Sequence, residues 1–298
     1  MSTIGFIGLG HMGAPMALHL LSANYTLYVY DTNAQALEDL VAKGARTVHS
    51  LKEMASLCDV IFTSVQTGKQ VSEICLSQGG LFPNAKSGVL YIDCSSIDIL
   101  TTMQLHREAI KHQVSMLDAP VSGGVAGAVN ATLTIMAGGD EKDFKRAEPF
   151  LQHLGKKVIH AGPGGRGQAA KICNNLLLGI SMIGVSEAFT LASKLGLEPK
   201  KFYEISSHAS GQCWAMTSYC PVPNILENVP SNHHYEPGFM AKMMLKDLQL
   251  SQYAAESVEA MTPLGSVATE LYELYINQGN GEKDFSGIIN LIDNKPTV

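Results

Sequence analysis

Three groupings in this sequence have residue types and spacing that could do chemistry. They are Gly8, Gly10 and Gly13, then Ser122, Gly123 and Gly124, and then Lys171, Asn174 and Asn175. The first has G-x-G-x-x-G spacing and runs Gly8, Leu9, Gly10, His11, Met12, Gly13, directly after the apolar run "IGFI" and before a helical pattern. In that setting the first glycine permits a tight turn, the second lets a pyrophosphate approach the backbone, and the third allows a helix to pack closely on a strand. The helix that follows would offer free N–H groups and the positive end of its dipole to phosphates. Asp31 ends the next apolar run, "LYVYD", 23 residues after Gly8. A carboxylate there accepts hydrogen bonds from ribose hydroxyls and repels a 2′-phosphate, and no lysine or arginine follows it until Lys43. A glycine-rich turn followed by a helix-capping aspartate would need both features by coincidence. The pair predicts a dinucleotide site that takes NAD in preference to NADP.

The other two groupings would serve a proton and an anion. "DAPVSGG", Asp118–Gly124, ends in a turn whose successive N–H groups can form an anion-binding nest, with the Ser122 hydroxyl as a further donor. It suits a substrate carboxylate, and it equally suits an ordinary loop. Lys171, Asn174 and Asn175 stand at i, i+3 and i+4, on one face of an otherwise apolar helix. Polar groups so placed are costly unless something satisfies them. A helix–helix hydrogen-bond cluster would do so. A buried lysine is also an acid–base group, which a nicotinamide enzyme needs in order to exchange a proton with its substrate. Trp214, the only tryptophan, could wall a pocket or simply pack. Lys242, Lys246 and Gln249 recur at helical spacing, the pattern of a solvated face.

The elements that must hold these groups follow from periodicity. Short apolar runs at 4–7, 26–30, 60–65, 89–93, 115–118, 133–136 and 157–160 suit strands buried on both faces, with helical patterns such as 15–21 and 34–43 between the early ones. That alternation predicts a doubly wound, Rossmann-type parallel sheet over residues 1–164. "AGPGGRGQAAK" breaks the rhythm at Ala161–Lys171. From 165 to 298 the sequence predicts an all-helical domain for substrate and oligomer contacts. It opens with a proline-free helix over 167–196, and further helices are expected at 199–207, 239–257, 263–278 and 284–292.

Bulk properties narrow the function classes. The net charge of -6, with no basic block, argues against nucleic acid as a partner. No apolar run reaches the roughly 18 residues that span a bilayer, so no membrane partner is expected. The six cysteines form no C-x-x-C pair and have no histidines at zinc spacing, so no metal site is expected. They suit reduced thiols. With a glycine-rich start so close to Met1, the expectation is a cytoplasmic protein.

"GFIGLGHMG", "DAPVSGGVAGA", "GQAAKICNNLLLGISMIG", "SGQCW", "PVPNI", "KDLQLSQ" and "KDFS" occur in this order along the chain. With them the sequence resembles the β-hydroxyacid dehydrogenase family, in particular its 3-hydroxyisobutyrate dehydrogenase branch, over essentially its full length. The resemblance implies a Rossmann domain, an all-helical domain and an active site in the cleft between them. It implies that Lys171 is the catalytic lysine, that Ser122, Gly123 and Gly124 bind the substrate carboxylate, that Asn175 orients the substrate and that Lys246 reaches the nicotinamide. Ser96, in "DCSSID", stands where the family has a threonine near the cofactor. Val65 and Gln66, followed by Gln70, stand where the family has Leu-Pro against the cofactor, and Gln212 replaces a frequent arginine. The implied reaction is NAD-dependent oxidation of 3-hydroxyisobutyrate to methylmalonate semialdehyde, a step of valine catabolism, in a homodimer or homotetramer. Reductases of succinic or tartronate semialdehyde are rivals on the same scaffold. Imine reductases share it but typically lack the lysine. A non-catalytic NAD-binding sensor is the rival of another class.

Overall fold

The computed structural model describes residues 2–294 and divides the chain into two compact units, Met1–Lys171 and Ile172–Val298. In the first unit strands and helices alternate as β1 (Thr3–Ile7), α1 (Gly13–Ser22), β2 (Thr26–Tyr30), α2 (Ala34–Val41), β3 (Arg46–Thr47), α3 (Leu51–Leu57), β4 (Val60–Thr63), α4 (Gly68–Leu76), β5 (Leu90–Asp93), α5 (Ile99–Lys111), β6 (Ser115–Asp118), β7 (Val121–Ser122), α6 (Gly124–Val129), β8 (Leu133–Gly138), α7 (Glu141–Leu151) and β9 (Gly155–Gly162). Helix α8 (Arg166–Lys194) follows.

The sheet runs in the order β3-β2-β1-β4-β5-β6-β8-β7, with β9 on β8. From β3 to β6 every pairing is parallel, and the order reverses about β1, as in a doubly wound sheet. The expectation of a parallel sheet throughout needs correction at one end. β8 is antiparallel to both β6 and β7, and only the short strand β7 and the six-residue helix α6 separate β6 from it. Neither two-residue strand, β3 or β7, has an apolar run to announce it in the sequence.

The central strands bury both faces, which is why they read as unbroken apolar runs. One face carries Ile4, Phe6, Leu27, Val29, Phe62 and Ile92 against α1. The other carries Ile7, Ile61, Tyr91 and Met116 with Met54, Val71 and Leu105 from α3, α4 and α5. Phe6 and Phe62 stack across β1 and β4 with ring centroids 5.7 Å apart. Burying each such ring contributes about 2–3 kcal/mol.

The second unit contains the rest of α8, then α9 (Pro199–Ser206), α10 (Trp214–Thr217), α11 (Ala241–Ser257), α12 (Pro263–Tyr275) and α13 (Ile288–Ile292). Its core joins Met182, Ile183 and Phe189 of α8 to Met244 and Leu248 of α11, and to Tyr272 and Tyr275 of α12. Between α9 and α11, where the sequence predicted no helix, the chain forms only α10 and one short 3-10 turn, Pro230–His233. Pro221, Pro223, Pro230 and Pro237 lack the N–H and carry the ring that a helix interior excludes.

Helix α8 also corrects a count. Lys171, Asn174, Asn175 and Glu187 interrupt its apolar run, yet its most apolar 18-residue window has a hydropathy of 1.6. By length and composition it is the one helix among the described residues able to cross a membrane. Ile172, Met182, Ile183, Val185, Phe189 and Ala192 on it are buried, whereas 39% of that window as a whole is.

Candidate active site

The glycine fingerprint occupies the turn from β1 into α1. Gly8 has φ +89°, and a Cβ there would lie 2.3 Å from the Ser64 carbonyl oxygen. A Cβ on Gly13 would lie 1.8 Å from the Gly8 carbonyl oxygen, so the protein's own packing demands both glycines. Gly10 is different, since a Cβ built there meets nothing within 4 Å. The protein leaves the space over Gly10 open, which is what a pyrophosphate approaching the backbone requires. No side chain caps the N-terminus of α1, and no acidic residue lies in its first turn. His11 and Met12 are part of this turn, and Leu9 N donates to Asp31 Oδ2 at 2.5 Å. Asp31 Oδ1 accepts from Asn33 N at 2.7 Å, so backbone donors fix the carboxylate at the end of β2. These residues fit a dinucleotide. Gly8–Gly13 would hold its pyrophosphate and Asp31 its adenosine ribose.

The loops after β4 and β5 are tied to each other. Val65 N donates to Ser95 Oγ at 3.0 Å. Ser95 is a junction, for its N–H donates to Asp93 Oδ1 at 3.1 Å and its carbonyl accepts from Gln168 Nε2 at 2.6 Å. Gln70 is engaged in a capping box. Its side-chain oxygen accepts from Gln66 N at 3.1 Å, Thr67 N at 3.0 Å and the Thr67 hydroxyl at 3.1 Å. That glutamine closes a turn that lacks the family's proline.

Ser122 lies on β7, paired with Thr134, and the two glycines after it take left-handed conformations, Gly123 at φ +137° and Gly124 at φ +64°. Both are backbone conformations that glycine adopts without a Cβ penalty.

Lys171 is buried at 9% exposure near the start of α8. Asp118, at the end of β6 and fully buried, anchors the chain entering that helix. Its Oδ1 accepts from Gly165 N at 2.7 Å and its Oδ2 from Gln168 N at 2.9 Å, with His106 Nε2 2.8 Å from Oδ1. The Gln168 side chain also accepts from Ile97 N at 3.2 Å. Gln168 therefore joins the helix that carries Lys171 to the loop that carries Ser95 and Ser96.

In the second unit Asn175 is 1% exposed and donates through Nδ2 to Asp247 Oδ2. Its own oxygen accepts from Asn174 Nδ2 at 2.9 Å. Lys246 Nζ lies 3.4 Å from Asp247 Oδ1, whereas Lys242 pairs with Glu282 at the surface. Trp214, half exposed, stacks on Tyr219 with centroids 4.9 Å apart. The Tyr219 hydroxyl donates to buried Asp284 at 2.9 Å, and Asp284 also accepts from Gly238 N and Phe239 N. Burial pushes the Asp284 carboxyl above its ordinary range, against the pull of those donors.

Sequence reasoning singled out none of Asp93, Ser95, Gln168, Asp247 or Asp284. For Asp93 the signal was present, a carboxylate closing a wholly apolar strand in "LYID".

Residues 3–162 match the family described as the NAD binding domain of 6-phosphogluconate dehydrogenase. Residues 165–292 match the one described as NAD-binding of NADP-dependent 3-hydroxyisobutyrate dehydrogenase. An NAD-dependent L-serine dehydrogenase of Pseudomonas aeruginosa is 44% identical over 98% of this chain and 98% of its own. The mitochondrial 3-hydroxyisobutyrate dehydrogenase of Homo sapiens is 40% identical over 99% of this chain and 88% of its own. Among solved structures, the 3-hydroxyisobutyrate dehydrogenase of Mycobacterium tuberculosis with L-serine superposes with a TM-score of 0.93. It is 39% identical and covers 98% of this chain and 99% of its own.

Proposed function

The chain belongs to the β-hydroxyacid dehydrogenase family, as an NAD-dependent oxidoreductase acting on CH–OH, and on that premise we propose that it oxidises 3-hydroxyisobutyrate to methylmalonate semialdehyde. The observation that carries the reading is Lys171, a buried lysine three residues beyond the Gln168 clamp that ties its helix to the cofactor loops.

Bound NAD supplies the acceptor for the hydride that leaves C3 of the substrate. The N–H groups of Gly123 and Gly124 and the Ser122 hydroxyl bind the substrate carboxylate. Lys171 in its neutral form takes the proton from the 3-hydroxyl. In the reverse direction its ammonium form returns that proton to the carbonyl oxygen. Asn175, its amide oriented by Asp247 and Asn174, positions the substrate beside Lys171, one helical turn away. Trp214 supplies an apolar wall for the 2-methyl group, and Lys246 has the role at the nicotinamide that the family resemblance implies. Asp31 favours NAD over NADP by repelling a 2′-phosphate.

Exposed apolar residues in the second unit, Leu177 and Leu191 on α8, Leu195 just after it, and Leu264 and Val267 on α12, support a homodimer or homotetramer as the working form. A second substrate reading is favoured by the 44% identical serine dehydrogenase. L-Serine is also a 3-hydroxypropionate substituted at C2, with an amino group in place of the methyl.

The test is kcat/KM with NAD for 3-hydroxyisobutyrate, L-serine, 3-hydroxypropionate, 4-hydroxybutyrate and glycerate. A preference for 3-hydroxyisobutyrate supports the proposal, and a preference for serine moves the enzyme to the sister specificity. Lys171→Ala is expected to lower turnover by about a thousandfold while NAD still binds. Because oxidation needs neutral Lys171, the rate rises toward alkaline pH. A flat profile with chemistry limiting removes Lys171 as the base.

A further inference from the structure

Asp93 ends β5 in the interior of the first unit and is fully buried. Its Oδ1 accepts from the Thr63 hydroxyl at 2.7 Å and from Ser95 N at 3.1 Å, while Oδ2 is buried with no hydrogen-bond partner. Thr63 is the last residue of β4, and Ser95 lies in the loop after β5. Through Ser95 Oγ the same network reaches Val65 N in the loop after β4. One carboxyl group thus stands at the root of two loops beyond the carboxyl ends of adjacent parallel strands. In an open sheet of this kind that is where a dinucleotide lies. The proton transfer assigned to Lys171 makes no use of this group.

We propose that Asp93 is a positioning residue for the dinucleotide, setting through Thr63 and Ser95 the spacing of the two loops that receive it, and that its ionised form holds them more firmly than its neutral form. Hydrogen bonds to a charged acceptor are shorter and stronger than those to a neutral one. The cost of the ionised form is the bare Oδ2. Burial, partly countered by the hydrogen bonds from Ser95 and Thr63 and reinforced by Asp118, pushes the carboxyl group up to about 6. The group therefore changes charge just below neutral pH.

The surrounding titratable groups are few. The Tyr91 hydroxyl on β5 lies 2.7 Å from Thr63 Oγ1, Cys75 of α4 bonds to Tyr91, and Cys94 follows Asp93 in the chain. Burial raises all three well above their ordinary values, so they stay neutral through this range. Asp118 on β6 stands alongside in register, with His106 of α5 against it.

The experiment is the NAD dissociation constant of the whole protein, without substrate, by titration calorimetry from pH 5 to 8. The proteins compared are the wild type, Asp93→Asn and His106→Gln. Asparagine keeps an oxygen for Ser95 N and Thr63 but carries no charge. Wild-type affinity is expected to rise about three- to tenfold as pH increases through about 6. Asp93→Asn should stay flat at the weaker, low-pH value, its loss appearing in KM for NAD more than in kcat, and His106→Gln should keep the wild-type profile. A pH dependence that persists in Asp93→Asn, or wild-type affinity in that variant at pH 8, overturns the proposal. Should Asp93→Asn not fold, Ser95→Ala removes the acceptor for Val65 N and is expected to weaken NAD binding at every pH. Unchanged affinity there overturns the proposal as well. Since the readout is NAD binding alone, the result is independent of the substrate and of the role of Lys171.

Discussion

Asn175 Nδ2 donates to Asp247 Oδ2 over 2.5 Å, joining residues 72 positions apart in the chain. With its oxygen accepting from Asn174, the Asn175 amide is held at both ends and cannot flip. Asp247→Ala should therefore release Asn175 and lower kcat/KM for the hydroxy acid about 10- to 100-fold. Combining it with Asn175→Ala should add little, because both changes remove one function. Steady-state kinetics on the two single variants and the double variant measure this, and fully additive losses would show that Asp247 acts elsewhere.

The fingerprint glycines separate into two kinds. Gly10→Ala places its methyl in open space, so unfolding free energy should change by less than about 1 kcal/mol. NAD affinity should nevertheless fall about tenfold or more, as the methyl meets the pyrophosphate. Gly13→Ala sets a methyl 1.8 Å from the Gly8 carbonyl oxygen and should destabilise the fold by about 3 kcal/mol or more. Urea denaturation beside NAD titration distinguishes the two.

Asp118 holds two backbone N–H groups and His106 in a fully buried place. Asp118→Ala strands those donors and should cost about 3–5 kcal/mol, measured by urea denaturation. His106→Gln, which keeps a donor for the carboxylate, should cost about 1 kcal/mol or less.

Asp93 also predicts how stability varies with pH. Its folded-state value of about 6 lies above the ordinary carboxylate range, so between about 4 and 6 the folded protein binds more protons at this site than the unfolded chain does. Its contribution to stability therefore falls as pH rises through that window and stays at its minimum above it. Asparagine has no such titration. The unfolding free energy of Asp93→Asn relative to wild type, measured by urea denaturation, should rise from pH 4 to pH 7 by about 3 kcal/mol at most. A difference independent of pH would place the titration on another group.

The sequence carried much of this where one physical signal dominates. Apolar runs marked β1, β4, β5 and β6 because strands covered on both faces admit little else. Glycine spacing and Asp31 marked the dinucleotide site because backbone approach and ribose recognition constrain residue type. Residues whose role depends on long-range partners stayed hidden. Asp247 sits among "KDLQLSQ" as though on a solvated helix face, and only the fold brings it to Asn175, 72 residues earlier. Ser95 and Ser96 are adjacent and alike, and nothing local shows that Ser95 joins the loops. Gln70, expected at the cofactor, also completes a capping box with Thr67, and the three-residue spacing between them is its sign in the sequence.

All six cysteines are free thiols, and their placement bears on how the protein can be observed. Burial pushes Cys220 up to about 11 and Cys58 up to about 12, and holds Cys75 and Cys94 well above the usual thiol range. Mildly alkaline buffers, which favour hydroxy-acid oxidation, therefore leave these four protonated and inert toward alkylation. Cys173 is exposed on α8, two positions past Lys171 and so roughly on the opposite side of the helix. A maleimide dye would attach there and at partly exposed Cys213. Cys213→Ser would therefore leave Cys173 as the reactive position for a fluorescent reporter, beside the lysine but off its proton-transfer face.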